Sequence, residues 1–166
     1  MDIIRAKIID LISLNHKKST ALIRLHEVTR LQTVDLSSSS LNSLLDHIRE
    51  KQDIMNNIDQ IDKIFYDGFV ELKLLLRVKS VEDINIEDYP EVNELKNSVQ
   101  DIISQLADID KLDKQNLNEV NGEILKLKND MKQVQTQSRV IKNYGGASKE
   151  ASYGNDYQGF YIDSKK

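Results

Sequence analysis

The sequence predicts an all-α protein, an elongated antiparallel three-helix bundle or coiled coil followed by a disordered C-terminal tail. Three observations carry that expectation. Pro90 is the single proline in 166 residues, and Gly68 and Gly122 are the only glycines before position 144, so little interrupts helical structure. Apolar residues recur on alternating three- and four-residue steps through three long stretches. The last segment then changes character: Tyr144, Tyr153, Tyr157, Phe160 and Tyr161 share it with Gly145, Gly146, Gly154 and Gly159, a mixture too polar and glycine-rich to build a core. The expected organisation is therefore a helical bundle over residues 1–143 and a disordered Gly/Tyr-rich tail over 144–166.

The first helix is expected over about residues 2–33, with Asp2 as N-cap and Ile4, Ile8, Leu11, Leu22 and Leu25 in heptad register. Its middle, Asn15 to Thr20, has no apolar residue; with neither glycine nor proline there, a water-facing stretch is the expectation rather than a break. The run Asp35-Leu36-Ser37-Ser38-Ser39-Ser40 supplies N-cap candidates for a second helix over about 39–77. Its seam is Leu41, Leu44, Ile48, Met55, Ile58, Phe65, Phe69, Leu72 and Leu76, with Lys51 and Asp62 at the two remaining seam positions. Polar residues in such positions fix register at a cost in stability. Gly68 reads as a tolerated helix weakener, with a close helix contact as the alternative.

Residues 78–88 lose the period, and Asp88-Tyr89-Pro90-Glu91 then offers a cap, a proline in the first turn and an acid against the helix dipole. The third helix is expected over about 89–142. Val92, Leu95, Val99, Ile102, Leu106 and Ile109 keep a heptad, the steps to Asp113 and Leu117 form a stutter, and the repeat resumes at Val120, Ile124, Leu127, Met131, Val134 and Ile141. Helices with one apolar seam must pack lengthwise, and two short connections allow an up-down-up arrangement. Because the third helix outruns the first, the stripe from Ile124 onward is a candidate partner-binding surface, together with the tail residues Phe160, Tyr161 and Ile162.

Composition narrows the function classes. The net charge of −4 with no basic cluster argues against nucleic acid as a partner, and the absence of cysteine excludes disulfides, thiolate metal sites and a cysteine nucleophile. No apolar run is long enough for membrane insertion, and the charges in Met1-Asp2-Ile3-Ile4-Arg5-Ala6-Lys7 break any signal-peptide core; a cytoplasmic location is expected. His16, His26 and His47 are too scattered for a metal site and read as solvated helix residues. Asp108, Asp110 and Asp113 begin like a calcium loop, but Leu112 stands at the fifth position and the turn glycine is absent. No phosphate loop, nucleophile elbow or kinase motif is present, so no enzyme, metal or cofactor is expected.

Three stretches resemble flagellar export chaperones of the FlgN type, in the version found in Gram-positive bacteria. They are Leu44-Leu45-Asp46-His47-Ile48-Arg49-Glu50-Lys51-Gln52-Asp53-Ile54-Met55 with Ile58-Asp59-Gln60-Ile61-Asp62; Ile109-Asp110-Lys111-Leu112-Asp113-Lys114-Gln115-Asn116; and the end, from Ile141-Lys142-Asn143-Tyr144-Gly145 to Phe160-Tyr161-Ile162-Asp163-Ser164-Lys165-Lys166. The last is the most specific of the three. The resemblance implies a small helical cytoplasmic protein that binds the hook-associated proteins of the hook-filament junction, FlgK and FlgL, and keeps them unassembled until the flagellar type III export apparatus receives them. Family members engage clients mainly through the C-terminal helical region, which maps here onto Ile124, Leu127, Met131, Val134 and Ile141. The serine run at 37–40 and the polar middle of the first helix depart from many members. The related FliT type, serving the filament cap protein, stays open, as do a self-associating structural coiled coil, a peptide-binding adaptor and a homodimeric chaperone.

Overall fold

A computed structural model describes residues 2–144. Among them lie three α-helices, α1 (Ile3–Ser37), α2 (Leu41–Leu76) and α3 (Glu91–Tyr144), and one short 3-10 turn, Val81–Asp83, with no strand. The chain divides into two compact units, Met1–Glu123 and Ile124–Lys166. The expectations attached to the tail beyond Tyr144 fall outside the described residues.

The first unit is an up-down-up bundle whose directions can be read from its polar pairs. Lys7 with Glu71, Lys18 with Asp62 and Asp35 with His47 run α1 against α2. Asn15 with Ser98 and Asn116 with the carbonyl of Thr29 run α1 alongside α3, at sequence separations of 83 and 87. Lys51 with Asp113 sets α2 against α3. The closest backbone packing is between α1 and α2. There a Cβ on Gly68 would sit 3.2 Å from Leu11 Cδ2, so the glycine marks a close helix contact rather than a tolerated flaw.

Apolar packing forms two clusters. One joins Ile8, Leu11, Ile12, Leu72, Ile84, Val92 and Leu95, where the 3-10 segment closes one end of the bundle; the other joins Leu22, Leu25, Ile58, Ile102 and Ile109. Between and beyond them the heptad positions are polar, and they are inside. Asn15, 4% exposed, donates from Nδ2 to Ser98 Oγ at 2.8 Å, and Lys18 Nζ reaches Asp62 Oδ1 at 2.6 Å. The middle of α1 is thus unbroken, as expected; Asn15 and Lys18 turn inward, while His16, Lys17 and Thr20 are exposed. In α3 the inward face continues by seven-residue steps through Leu95, Ile102, Ile109 and Asn116, which is 7% exposed, while Leu117 is 59% exposed. The stutter inferred from Leu117 is therefore absent from the packing, because Asn116 takes the inward position and bonds the carbonyl of Thr29 and the hydroxyl of Thr33.

The helix ends differ from expectation for local reasons. Asp2 caps α1 as predicted, its Oδ1 accepting from the Ile4 amide at 3.0 Å. The helix runs past Thr33 to Ser37, and the hydroxyls of Thr33, Ser37 and Ser38 bond carbonyls one turn back, so they are satisfied within the helix. It stops where Ser39 turns left-handed (φ 55°) and the Ser40 amide reaches the Asp35 carbonyl. Arg77 closes α2 in the same conformation (φ 56°), with the Val78 amide on the Lys73 carbonyl. Asp88 is not the cap of α3: its carboxylate accepts from Asn85 Nδ2, and α3 begins at Glu91.

The two helical glycines should respond oppositely. Gly68→Leu is expected to destabilise the bundle by about 1–3 kcal/mol through overpacking against Leu11, seen as a lower melting temperature. At Gly122 a Cβ meets nothing within 4 Å, so Gly122→Ala should stabilise the helix locally by about 1 kcal/mol, measured as slower amide exchange around that position.

Candidate partner-binding surface

The register of α3 on α1 sets where the bundle can end. Offsets of 83 to 87 carry Ser37, the last residue of α1, to positions 120–124 of α3. From Asn121 to Asn143 every residue is exposed. The helix there is built from good formers, Leu, Lys, Gln and Met, and Lys142 in its last turn favours the negative end of the dipole.

On this segment Ile124, Leu127, Met131, Val134 and Ile141 share one face by their three- and four-residue steps, with Ser138 taking the remaining position. Their exposures run from 44% at Met131 to 71% at Ile141. Leu125 and Val140, off the heptad, are exposed as well. One edge of the stripe is basic: Lys128, Lys132, Arg139 and Lys142 follow each other on helical spacing and are all exposed. Phe160, Tyr161 and Ile162 lie outside the described residues.

A second apolar surface emerges within the bundle, where sequence periodicity indicated burial. Leu41, Ile48 and Met55 of the α2 seam and Leu106 of the α3 seam are exposed; in α2 the adjacent His47 bonds Asp35 and Ile54 packs on the second cluster, so these neighbours take the inward positions. Near the capped end α2, the 3-10 segment and α3 line a recess of about 410 Å³ with Phe65, Phe69, Val81, Leu95, Val99 and Ile103, and with Glu82, Lys96 and Gln100 among them. Phe65 and Phe69 stack with centroids 6.0 Å apart, and Lys73 Nζ lies 4.9 Å from the Phe69 ring centre.

The titratable groups with shifted ionisation lie away from the stripe. Glu27 is held below the usual carboxylate range by its hydrogen bond from Arg30, and burial pushes the Tyr89 phenol up, aided by Asp2. His47 is not a solvated residue as expected; its Nδ1 lies 2.5 Å from the buried Asp35 carboxylate. His16 is exposed and 3.8 Å from Glu94. Of the aspartates that began like a calcium loop, Asp110 pairs with Lys114 and Asp113 with Lys51. Among the described residues no group of three or more potential ligands is placed to hold a metal ion, and no helix is long and apolar enough to cross a membrane.

Fold and surface together define a helical protein whose most prominent feature is an exposed, basic-edged apolar stripe. Comparison with protein-family models, curated proteins and solved structures finds no match to this chain.

Proposed function

We propose that the protein is a flagellar type III export chaperone of the FlgN type, binding hook-associated proteins in the cytoplasm and preventing their assembly before export. The observation that carries this reading is the stripe Ile124, Leu127, Met131, Val134 and Ile141, exposed on a helical segment distinct from a self-contained bundle. The family resemblance directs client binding to the same residues. An amphipathic client helix laid on the stripe would bury apolar surface at roughly 25 cal/mol per Å², less the cost of ordering the client. Binding of that kind masks an assembly surface yet releases it, which a chaperone delivering cargo requires. The bundle serves as the rigid handle.

Co-expression with hook-associated proteins tests the proposal. A heterocomplex eluting as one species in gel filtration is the expected result. A chain that forms only homo-oligomers and ignores those clients would favour the structural coiled coil, and capture of the filament cap protein instead would favour the FliT type.

A further inference from the structure

Charge is distributed unevenly along the chain. Residues 124–143 hold five Lys and Arg against a single Asp, whereas residues 1–123 hold fifteen against twenty-three Asp and Glu. A net −4 chain therefore ends its helical region in a cationic segment. Four of the five cations fall on one side of the apolar stripe, Lys128 and Lys142 flanking it and Lys132 and Arg139 one row further round, while Asp130 and Lys126 fall on the other side.

Resting on the reading of this stripe as a client site, we infer that it selects one kind of helix: an amphipathic segment whose seam fits Ile124 to Ile141 and whose edge carries acidic residues facing Lys128, Lys132, Arg139 and Lys142. Apolar seams alone discriminate poorly, because any leucine-rich helix can occupy them; charges flanking a seam set partner and orientation. A second copy of the stripe fits badly. Antiparallel pairing would set this basic edge against itself, and parallel pairing would set Lys128 against Glu123 but Lys142 against Gln137 and Asp130 against Gln135, so no acidic row meets the basic one. An anionic membrane offers negative charge as well, but the stripe is a narrow heptad seam interrupted by Ser138 and lacks Trp and Phe, unlike helices that lie in a lipid interface.

The test uses the full chain with two fluorescent helical peptides about three heptads long, sharing one apolar seam and carrying either Glu or Lys along its edges. Anisotropy titrations should show the Glu-edged peptide binding about tenfold or more tighter than the Lys-edged one, with the difference shrinking as salt rises. The combined variant Lys128→Glu, Lys132→Glu, Arg139→Glu and Lys142→Glu should invert that preference, and the corresponding Gln variant should abolish it, both with unchanged bundle melting. Equal affinity for the two peptides would overturn the inference. So would binding to vesicles of about 30% phosphatidylserine with neither peptide bound, or stripe-dependent dimers that neither peptide disrupts. Failure to capture hook-associated proteins alongside intact Glu-peptide selectivity would reject the chaperone assignment alone. Capture that is indifferent to both salt and charge reversal would reject the charge selectivity alone.

Discussion

Replacing Leu72 by alanine is expected to destabilise the bundle by about 3 kcal/mol, lowering its melting temperature by roughly 10 °C. Leu72 is fully buried and belongs to the cluster in which α1 supplies Ile8 and Leu11, the connection supplies Ile84, and α3 supplies Val92 and Leu95. All three helices and the connection lose contacts at once. The cavity is expected to persist because the neighbours are pinned: Gly68 already stands close to Leu11 one turn away, and the 3-10 segment is fixed by Asp83 accepting from the Ser80 amide at 3.0 Å. Chemical denaturation followed by helical circular dichroism measures the effect. Leu125→Ala, on an exposed side chain of the same residue type, should stay within about 0.5 kcal/mol and serves as the control.

The largest functional effect should come from Leu127→Ser, Met131→Ser and Val134→Ser combined. Each of these side chains is exposed in the free protein, so the triple change should leave bundle melting unaltered. In a client complex each would be buried, at about 1.5 kcal/mol or more apiece, and losing three of them should weaken client binding by at least 100-fold. Isothermal titration against a purified hook-associated protein gives the number. A comparable loss from changing Phe65 and Phe69 instead would move the site to the α2–α3 recess.

Much of the fold could be read from the sequence, and its failures have one physical source. Three helices, their up-down-up order and the Asp2 cap follow from apolar periodicity and capping chemistry. Periodicity counts only apolar residues, however, and this bundle fills many heptad positions with polar ones. Asn15, Lys18 and Thr29 continue the α1 seam, Lys51 and Asp62 that of α2, and Asp113 and Asn116 that of α3; they then pair with one another or with nearby backbone across the helices. Lys51 and Asp62 were identifiable as seam residues, but their partners were not, since nothing local announces that Lys51 meets Asp113. Leucine is the more obvious inward residue, so apolar spacing points to Leu117 where the structure buries Asn116. Such pairs add little net stability compared with apolar packing, yet slipping the register would strand the buried Asn15, Ser98 and Asn116, whereas Asp62 and Asp113, with side chains 46% and 43% exposed, would lose less.

The candidate surface was legible for a simpler reason. A helix that outlasts its neighbours exposes its stripe, and the lengths alone placed that transition near Ile124. The exposure of part of the α2 seam was not legible, because Leu41, Ile48 and Met55 keep heptad spacing while His47 and Ile54 are the residues that pack.

Hydrogen–deuterium exchange on the full chain, free and with a hook-associated protein, tests the central claim most directly. In the free protein, amides of Ile8–Leu25 and Val92–Ile109 should be strongly protected, while those of 124–143 should exchange fast because among the described residues that segment is exposed throughout. Client binding should slow exchange across Ile124–Ile141 and leave the bundle nearly unchanged. Protection appearing around Phe65, Phe69 and Val99 with 124–141 still exchanging fast would contradict the account.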